Sequence, residues 1–220
     1  GDAEAQNSLG RIYSEGQGVP QDAAEAMKWW RKAAEQGFAK AQFNLGLVYY
    51  KGEGVPQDAA EAMKWWRKAA EQENAEAQNN LGGMYYIGQG VPQDAAEAVK
   101  WWRKAAEQEN AEAQFNLGKR YYTGQGVPQD AAEAMKWWRK AAEQENAEAQ
   151  YNLGLMYHEG ENVPKDDVEA YLWCSLAAAH GYKKAKSLVD SIGHDITPDQ
   201  LAQAQKRVAA WKPKVTIAPP

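Results

Sequence analysis

The chain has 220 residues, a formal charge of −5 and a pI near 5.4, a balance that argues against nucleic acid or an anionic membrane surface as partner. With 44% hydrophobic residues and a mean hydropathy of −0.76 it reads as a water-facing protein, and no run approaches the ~20 apolar residues that insertion into a membrane requires. Cys174 is the only cysteine, so an intrachain disulfide is excluded and redox chemistry does not fix the compartment.

A 36-residue period dominates the sequence. Leu-Gly stands at Leu9-Gly10, Leu45-Gly46, Leu81-Gly82, Leu117-Gly118 and Leu153-Gly154. Val-Pro keeps the same step at Val19-Pro20, Val55-Pro56, Val91-Pro92, Val127-Pro128 and Val163-Pro164. A strict period of this length marks a stacked supersecondary unit, each copy burying its apolar face against its neighbours.

The second copy shows the unit in full. Ala39 to Tyr50 reads as a first helix and Ala59 to Glu71 as a second. Gly52 follows the last aromatic of the first helix, where a left-handed residue closes a helix at low cost. Asp58 stands at an N-cap position with Glu61 three residues on, the spacing of a capping box. It recurs as Asp22/Glu25, Asp94/Glu97, Asp130/Glu133 and Asp166/Glu169. Gly37 marks the break between copies, and Asn74, Asn110 and Asn146, one position later in theirs, are expected to serve the same turn. Helical periodicity puts Ala41, Leu45 and Tyr49 on one side, with Gly46 letting the partner helix approach. On the second helix Ala59, Ala62, Trp66, Ala69 and Ala70 form a stripe widened by Trp65 and Met63, while Lys64, Arg67, Lys68 and Glu71 take the solvated side.

The fifth copy drifts: Tyr171, Trp173, Cys174 and Ser175 replace Met135, Trp137, Trp138 and Arg139. Ala185 to Ile192 begin a sixth first helix that Gly193 is expected to end. Thr197-Pro198-Asp199-Gln200 is another helix start, followed by Leu201, Ala204, Gln205, Val208 and Trp211 at helical spacing. The expected organisation is therefore residues 1–190 for five repeats and a partial sixth first helix, 191–211 for a C-terminal capping helix, and 212–220 for a flexible proline-rich tail.

Ala41, Leu45, Gly46, Tyr49, Gly52, Gly54, Val55, Asp58, Ala62, Trp65, Trp66, Ala69 and Ala70, and their counterparts in the other copies, give the unit its likeness. It resembles the Sel1-like repeat (SLR) family, relatives of the tetratricopeptide repeats, over about residues 1–190. The resemblance implies an all-α fold, a right-handed α/α superhelix of helical hairpins whose first helices line a concave groove. It also implies protein–protein interaction without catalytic residues. Many bacterial members are exported, which slightly favours an exported or periplasmic location over a cytoplasmic one. The chain starts at Gly1 rather than Met and carries no charged-then-apolar leader, as either a processed mature protein or a sequence begun at a chosen residue would.

The second helices hardly vary from the first to the fourth copy. The first helices vary mainly at three aligned positions: Asn7, Arg11, Ser14; Phe43, Leu47, Tyr50; Asn79, Gly83, Tyr86; Phe115, Lys119, Tyr122; and Tyr151, Leu155, His158. Spacings of four and three put each trio on one helix side, opposite Leu45 and Tyr49. Rows of Phe and Tyr there favour contact with a protein or peptide partner, and Lys119 and Arg11 would select acidic groups. The alternatives are drift on a solvated face and packing between neighbouring first helices. At the level of function, the alternative is an inhibitor or immunity-type regulator of a partner enzyme. A minor option is glycan stacking on Trp29, Trp65, Trp101 and Trp137, should these be partly exposed.

Other chemistry finds little support. The Gly-x-Gly of each linker follows a helix and lacks the Gly-Lys-Ser/Thr of a phosphate loop. Lys64-Trp65-Trp66-Arg67-Lys68 mixes bases with aromatics, but its indoles belong to the core stripe of an acidic chain. His158, His180, His194 and Cys174 match no metal-ligand spacing, so neither a metal nor a cofactor is expected.

Overall fold

The computed structural model describes residues 1–160 and 162–214. Among the described residues there are twelve α-helices and no strand, and the chain falls into two compact units, Gly1–Gln108 and Glu109–Pro220. The first unit holds α1 (Ala3–Glu15), α2 (Ala23–Glu35), α3 (Ala39–Lys51), α4 (Ala59–Glu71), α5 (Ala75–Ile87) and α6 (Ala95–Glu107). The second holds α7 (Ala111–Thr123), α8 (Ala131–Glu143), α9 (Ala147–Glu159), α10 (Asp167–Ala179), α11 (Lys183–Asp195) and α12 (Pro198–Ala210). Odd and even helices pair as hairpins (α1 with α2, through α9 with α10), and within each unit an even helix also packs on the odd helix that follows it.

Local chemistry sets the helix ends. Gly16, Gly52, Gly88, Gly124 and Gly160 close the first helices in the left-handed conformation, which costs a Cβ-bearing residue about 1–2 kcal/mol. Asp22, Asp58, Asp94, Asp130 and Asp166 cap the second helices, each carboxylate accepting from the backbone N–H three residues on. Only this half of the expected capping box forms. Glu25, Glu61, Glu97 and Glu133 turn to Lys28, Lys64, Lys100 and Lys136 at 2.8–3.0 Å, a lysine one turn ahead being the stronger partner for a carboxylate. The reciprocal box occurs at Thr197 and Gln200.

The inter-repeat turn is built differently from expectation. Its left-handed residues are Glu73, Glu109 and Glu145 (φ 63°, 62° and 65°), in register with Gly37 at 90° and Gly181 at 84°. Asn74, Asn110 and Asn146 have extended backbones and cap the next helix, accepting from the N–H groups of Ala77, Ala113 and Ala149. An Asn side chain three residues before a free N–H satisfies that donor better than it stabilises a turn.

Within each hairpin the Leu-Gly glycine faces an indole. A Cβ on Gly82 would lie 2.6 Å from Trp102 Cδ1, and one on Gly118 2.6 Å from Trp138 Cδ1. Gly10 and Gly46 face Trp30 and Trp66 in the same way, and Gly154 faces Cys174. Between copies a buried glutamine makes the joint. Gln42 Nε2 donates to the Ala34 carbonyl at 3.1 Å while its Oε1 accepts from Gln72 at 2.8 Å. Gln78 does the same with Ala70 and Gln108, so each of these buried amides has its partners. Arg31 adds a bond to the Tyr49 hydroxyl at 2.5 Å, and Arg67–Tyr85 and Arg139–Tyr157 repeat it.

The C-terminal helices depart from the sequence reading in one respect. Gly193 does not end α11, which continues to Asp195 with Ile196 extended beyond it. Ile192 is fully buried among Ala170 and Cys174, and that anchorage outweighs the ~1 kcal/mol a mid-helix glycine costs. α12 turns back onto α10, with Val208 and Trp211 on the cluster containing Leu172, Trp173 and Leu176. Arg207 bonds Glu169 at 2.6 Å, and the Lys214 N–H donates to the Glu143 carbonyl at 2.8 Å. Most of the proline-rich tail, residues 215–220, lies outside the described residues.

Glu73 is an exposed residue in a conformation that favours glycine. Glu73→Gly is expected to stabilise the chain by about 0.5–1 kcal/mol, read as a higher urea midpoint.

Candidate functional site

Four of the sequence-predicted residues come together in the second unit. Phe115, Lys119 and Tyr122 of α7 and Leu155 of α9 line one groove of about 500 Å³, whose lining also includes Trp138 and Met156. Glu148, Glu159 and Tyr182 contribute to it as well. Phe115 and Tyr122 are half-buried against the apolar cluster of this unit. Lys119 is exposed and supplies the groove's cation, Glu148 and Glu159 its carboxylates. The Phe115 carbonyl accepts from Trp138 Nε1 at 3.2 Å, and Tyr122 tilts against the same indole at 5.3 Å between ring centres. The groove is thus a rigid aromatic floor with polar groups around it, an arrangement suited to holding an apolar side chain and orienting its flanks.

Other candidates stand apart from that groove. Tyr151 stacks on Tyr182 at 4.9 Å, and burial, then the Tyr182 phenol, push its hydroxyl above the ordinary tyrosine range. His158 is tied to Asp167 at 2.7 Å, a carboxylate shared with Lys165. In the first unit Phe43, Leu47 and Tyr50 are half-buried on the α4–α5 cluster, and Tyr50 and Tyr86 tilt against Trp66 and Trp102 at 5.3 and 5.7 Å. Asn7 accepts from Asn44 at 3.1 Å, and Arg11 is exposed. Asn79 is 7% exposed, so it offers a partner almost no surface. The aromatics of the stripe therefore pack on their own repeats and present only their outer edges.

The glycan option meets buried rings at three of its four indoles, Trp29 alone being half-buried. Trp65, Trp101 and Trp137 are 7%, 9% and 6% exposed. Lys68, Lys104 and Lys140 lie over their rings at 4.3, 4.5 and 4.9 Å, and Lys32 covers Trp29 in the same way at 4.4 Å. A sugar would have to displace a cation already seated on each face. Among the described residues no three His, Cys, Asp or Glu side chains group as metal ligands, and no helix is long and apolar enough to cross a membrane.

The sequence profile of the Sel1 repeat matches residues 3–38, 39–74, 75–110, 111–146 and 147–182. The chain belongs to the Sel1 repeat family. A protective antigen of uropathogenic Escherichia coli displaying an SLR fold is similar at a TM-score of 0.87 and 40% identity, over 96% of this chain and 46% of that one. A Sel1 repeat protein of Oxalobacter formigenes is similar at a TM-score of 0.83 and 34% identity, over 95% and 88%. An immunity protein of Pseudomonas aeruginosa shares the fold at a TM-score of 0.54 and 22% identity, over 94% and 78%. This chain spans less than half the length of the Escherichia coli protein. No curated protein matches it. A Sel1 repeat scaffold is consistent with protein–protein interaction.

Sequence reasoning missed Tyr182, Met156 and the two groove carboxylates. Tyr182 was open to detection, because it replaces the Asn of positions 74, 110 and 146. Glu148 was not, because the same Glu recurs at 76 and 112 and so looked structural.

The fifth Sel1 repeat also changes two touching positions together. Cys174 stands where Trp138 does, and His158 where Tyr122 does. Cys174 is fully buried beside Ile192, and burial pushes its thiol from 9.0 up to about 12. The folded state therefore holds this proton more tightly than the unfolded chain, and stability falls as pH rises from about 9 towards 12. Native protein at pH 8 is expected to resist a thiol-reactive chromophore, with one equivalent reacting on unfolding; rapid native labelling would contradict this burial.

Proposed function

We propose that this chain is a non-enzymatic interaction module that holds a peptide or protein segment against its first helices, in the groove between α7 and α9. The observation that carries the reading is the convergence of Phe115, Lys119, Tyr122 and Leu155, positions that differ from copy to copy, on one aromatic-floored groove. Residues that vary while the scaffold around them is held constant are free of a packing role common to all copies. Half-buried aromatics backed by a rigid indole give contact area with little ordering cost, the usual character of an interface anchor. Lys119 adds a preference for an acidic flank, and Glu148 and Glu159 for a basic one. In this reading the aligned residues Asn7, Arg11, Phe43, Leu47, Tyr50 and Tyr86 contribute a second stretch of contact surface in the first unit, and Tyr151 and His158 contribute outside the groove.

The inhibitor or immunity-type reading draws on Pseudomonas aeruginosa structures at 22% and 19% identity, a likeness of fold, and no residue of the groove favours it.

The test is selection of peptides from a displayed library on the purified chain, followed by calorimetric titration of the best binder. Phe115→Ala with Leu155→Ala is expected to weaken binding at least tenfold, about 1.4 kcal/mol, with the helical circular dichroism spectrum unchanged. Unchanged affinity in that folded variant would contradict the groove.

A further inference from the structure

The α9 wall of the groove ends, at both ends, in a carboxylate that the chain itself does not use. Glu148, Asn152, Leu155 and Glu159 line that wall, and their spacings of four, three and four put them on one helix face. Glu148 and Glu159 are exposed, and among the described residues neither side chain has an ion-pair or hydrogen-bond partner. The cations beside Glu159 are taken, since Lys165 and His158 both go to Asp167, at 3.3 and 2.7 Å. Lys183 and Lys184 follow Tyr182 on α11 but do not line the groove.

Glu159 also stands against a local rule. It is the last residue of α9, where the helix dipole favours a cation and disfavours an anion. The aligned residues are Glu15, Lys51, Ile87 and Thr123, and of these only Glu15 is acidic, with Gln17 donating to it. Glu148 is different, because a carboxylate near the start of α9 suits the dipole there. Helix stability therefore accounts for one of the pair and not the other. A charge that its own helix disfavours, and that no group of the chain neutralises, points to a partner outside the chain.

Spacing and volume narrow that partner. Glu148 and Glu159 stand roughly 16 Å apart along α9, at 1.5 Å per residue. Between them lie Phe115, Leu155 and the Trp138 floor. A groove of about 500 Å³ has no room for three turns of a helix about 10 Å across, but an extended segment fits. At about 3.3 Å per residue, roughly 16 Å is about five residues of extended chain.

This step rests on the groove being the binding site. We propose that its occupant is an extended peptide segment carrying a basic residue on each side of a large apolar one. The apolar side chain would seat on Trp138 between Phe115 and Leu155, and the two cations, about five residues apart, would reach Glu148 and Glu159. Lys119 lines the opposite wall in register with Leu155, so a third cation at the centre would be repelled. An acidic segment would meet two carboxylates for one lysine, on a chain whose net charge is −5.

The probe is a random dodecapeptide library displayed on phage and selected on the full chain at low ionic strength. Groove binders are those that Phe115→Ala with Leu155→Ala weakens, and they are expected to carry Arg or Lys on both sides of a large apolar residue. Glu148→Gln with Glu159→Gln is expected to weaken the best of them about fivefold or more and to flatten its salt dependence. Glu159→Gln alone should leave the thermal midpoint unchanged or higher, because an anion leaves the end of a helix. Groove binders without paired basic residues, or affinity indifferent to the two glutamines, would overturn this inference and leave the groove standing. A lower midpoint for Glu159→Gln would overturn it too, by giving the carboxylate a role in the fold. A library yielding no groove binder would overturn the groove reading and this inference together.

Discussion

The contact between a helix glycine and an indole sets the geometry of every hairpin in which it occurs. At Gly82 and Gly118 the space a Cβ would take is already filled by Trp102 and Trp138, so the two helices can close only with glycine at that place. Glycine inside a helix costs roughly 1 kcal/mol, and burying a large flat indole against bare backbone more than offsets it. The seated indole then fixes what surrounds it. Trp66 and Trp138 donate to the carbonyls of Phe43 and Phe115, and Tyr50, Tyr86 and Tyr122 tilt against the three indoles Trp66, Trp102 and Trp138 at 5.3–5.7 Å. The aromatic floor of the candidate groove is a by-product of the contact that closes the hairpin.

Joining one hairpin to the next falls to polar chemistry. Gln42, Gln78 and Gln150 each spend the amide nitrogen on a carbonyl of the preceding copy. Gln42 and Gln78 receive the C-cap glutamine of their own copy at the oxygen, and at Gln150 that place is taken by His180 Nδ1 at 2.9 Å. Because the Gln150 oxygen can only accept, Nδ1 carries the proton there. The fifth copy changes in other places for a related reason. Leu172 and Leu176 replace lysines because that face meets α12 instead of water. Reading the drift as decay of the repeat would miss that it builds a seat.

The period, the hairpins, the glycine C-caps and the Asp N-caps were all legible, since each rests on a local rule that a few neighbouring residues satisfy. Three features were not. Glu73, Glu109 and Glu145 adopt a backbone that local preference gives to glycine, because the helices on either side dictate the turn. Gly193 stays helical because Ile192 is anchored in the core, a long-range fact. The exposure of Trp65, Trp101 and Trp137 was undecidable from periodicity, since Lys68, Lys104 and Lys140 fold over indoles that lie at the edge of the stripe. For the site, the variable first-helix positions were readable by comparing copies. Their convergence on one groove depends on side chains such as Met156 and Tyr182 that the period either hides or places in a neighbouring copy.

The division between a constant framework and a variable face rests on the glycine–indole contact being a true two-body constraint. A double-mutant cycle on Gly118 and Trp138, followed by urea unfolding, measures it directly. In the native background Gly118→Ala is predicted to cost about 1–3 kcal/mol through overpacking. With Trp138→Leu already present, it is predicted to be neutral or to gain up to about 1 kcal/mol from helix propensity. An equal cost in both backgrounds would mean that the glycine is there for some reason other than the indole, and would contradict the account.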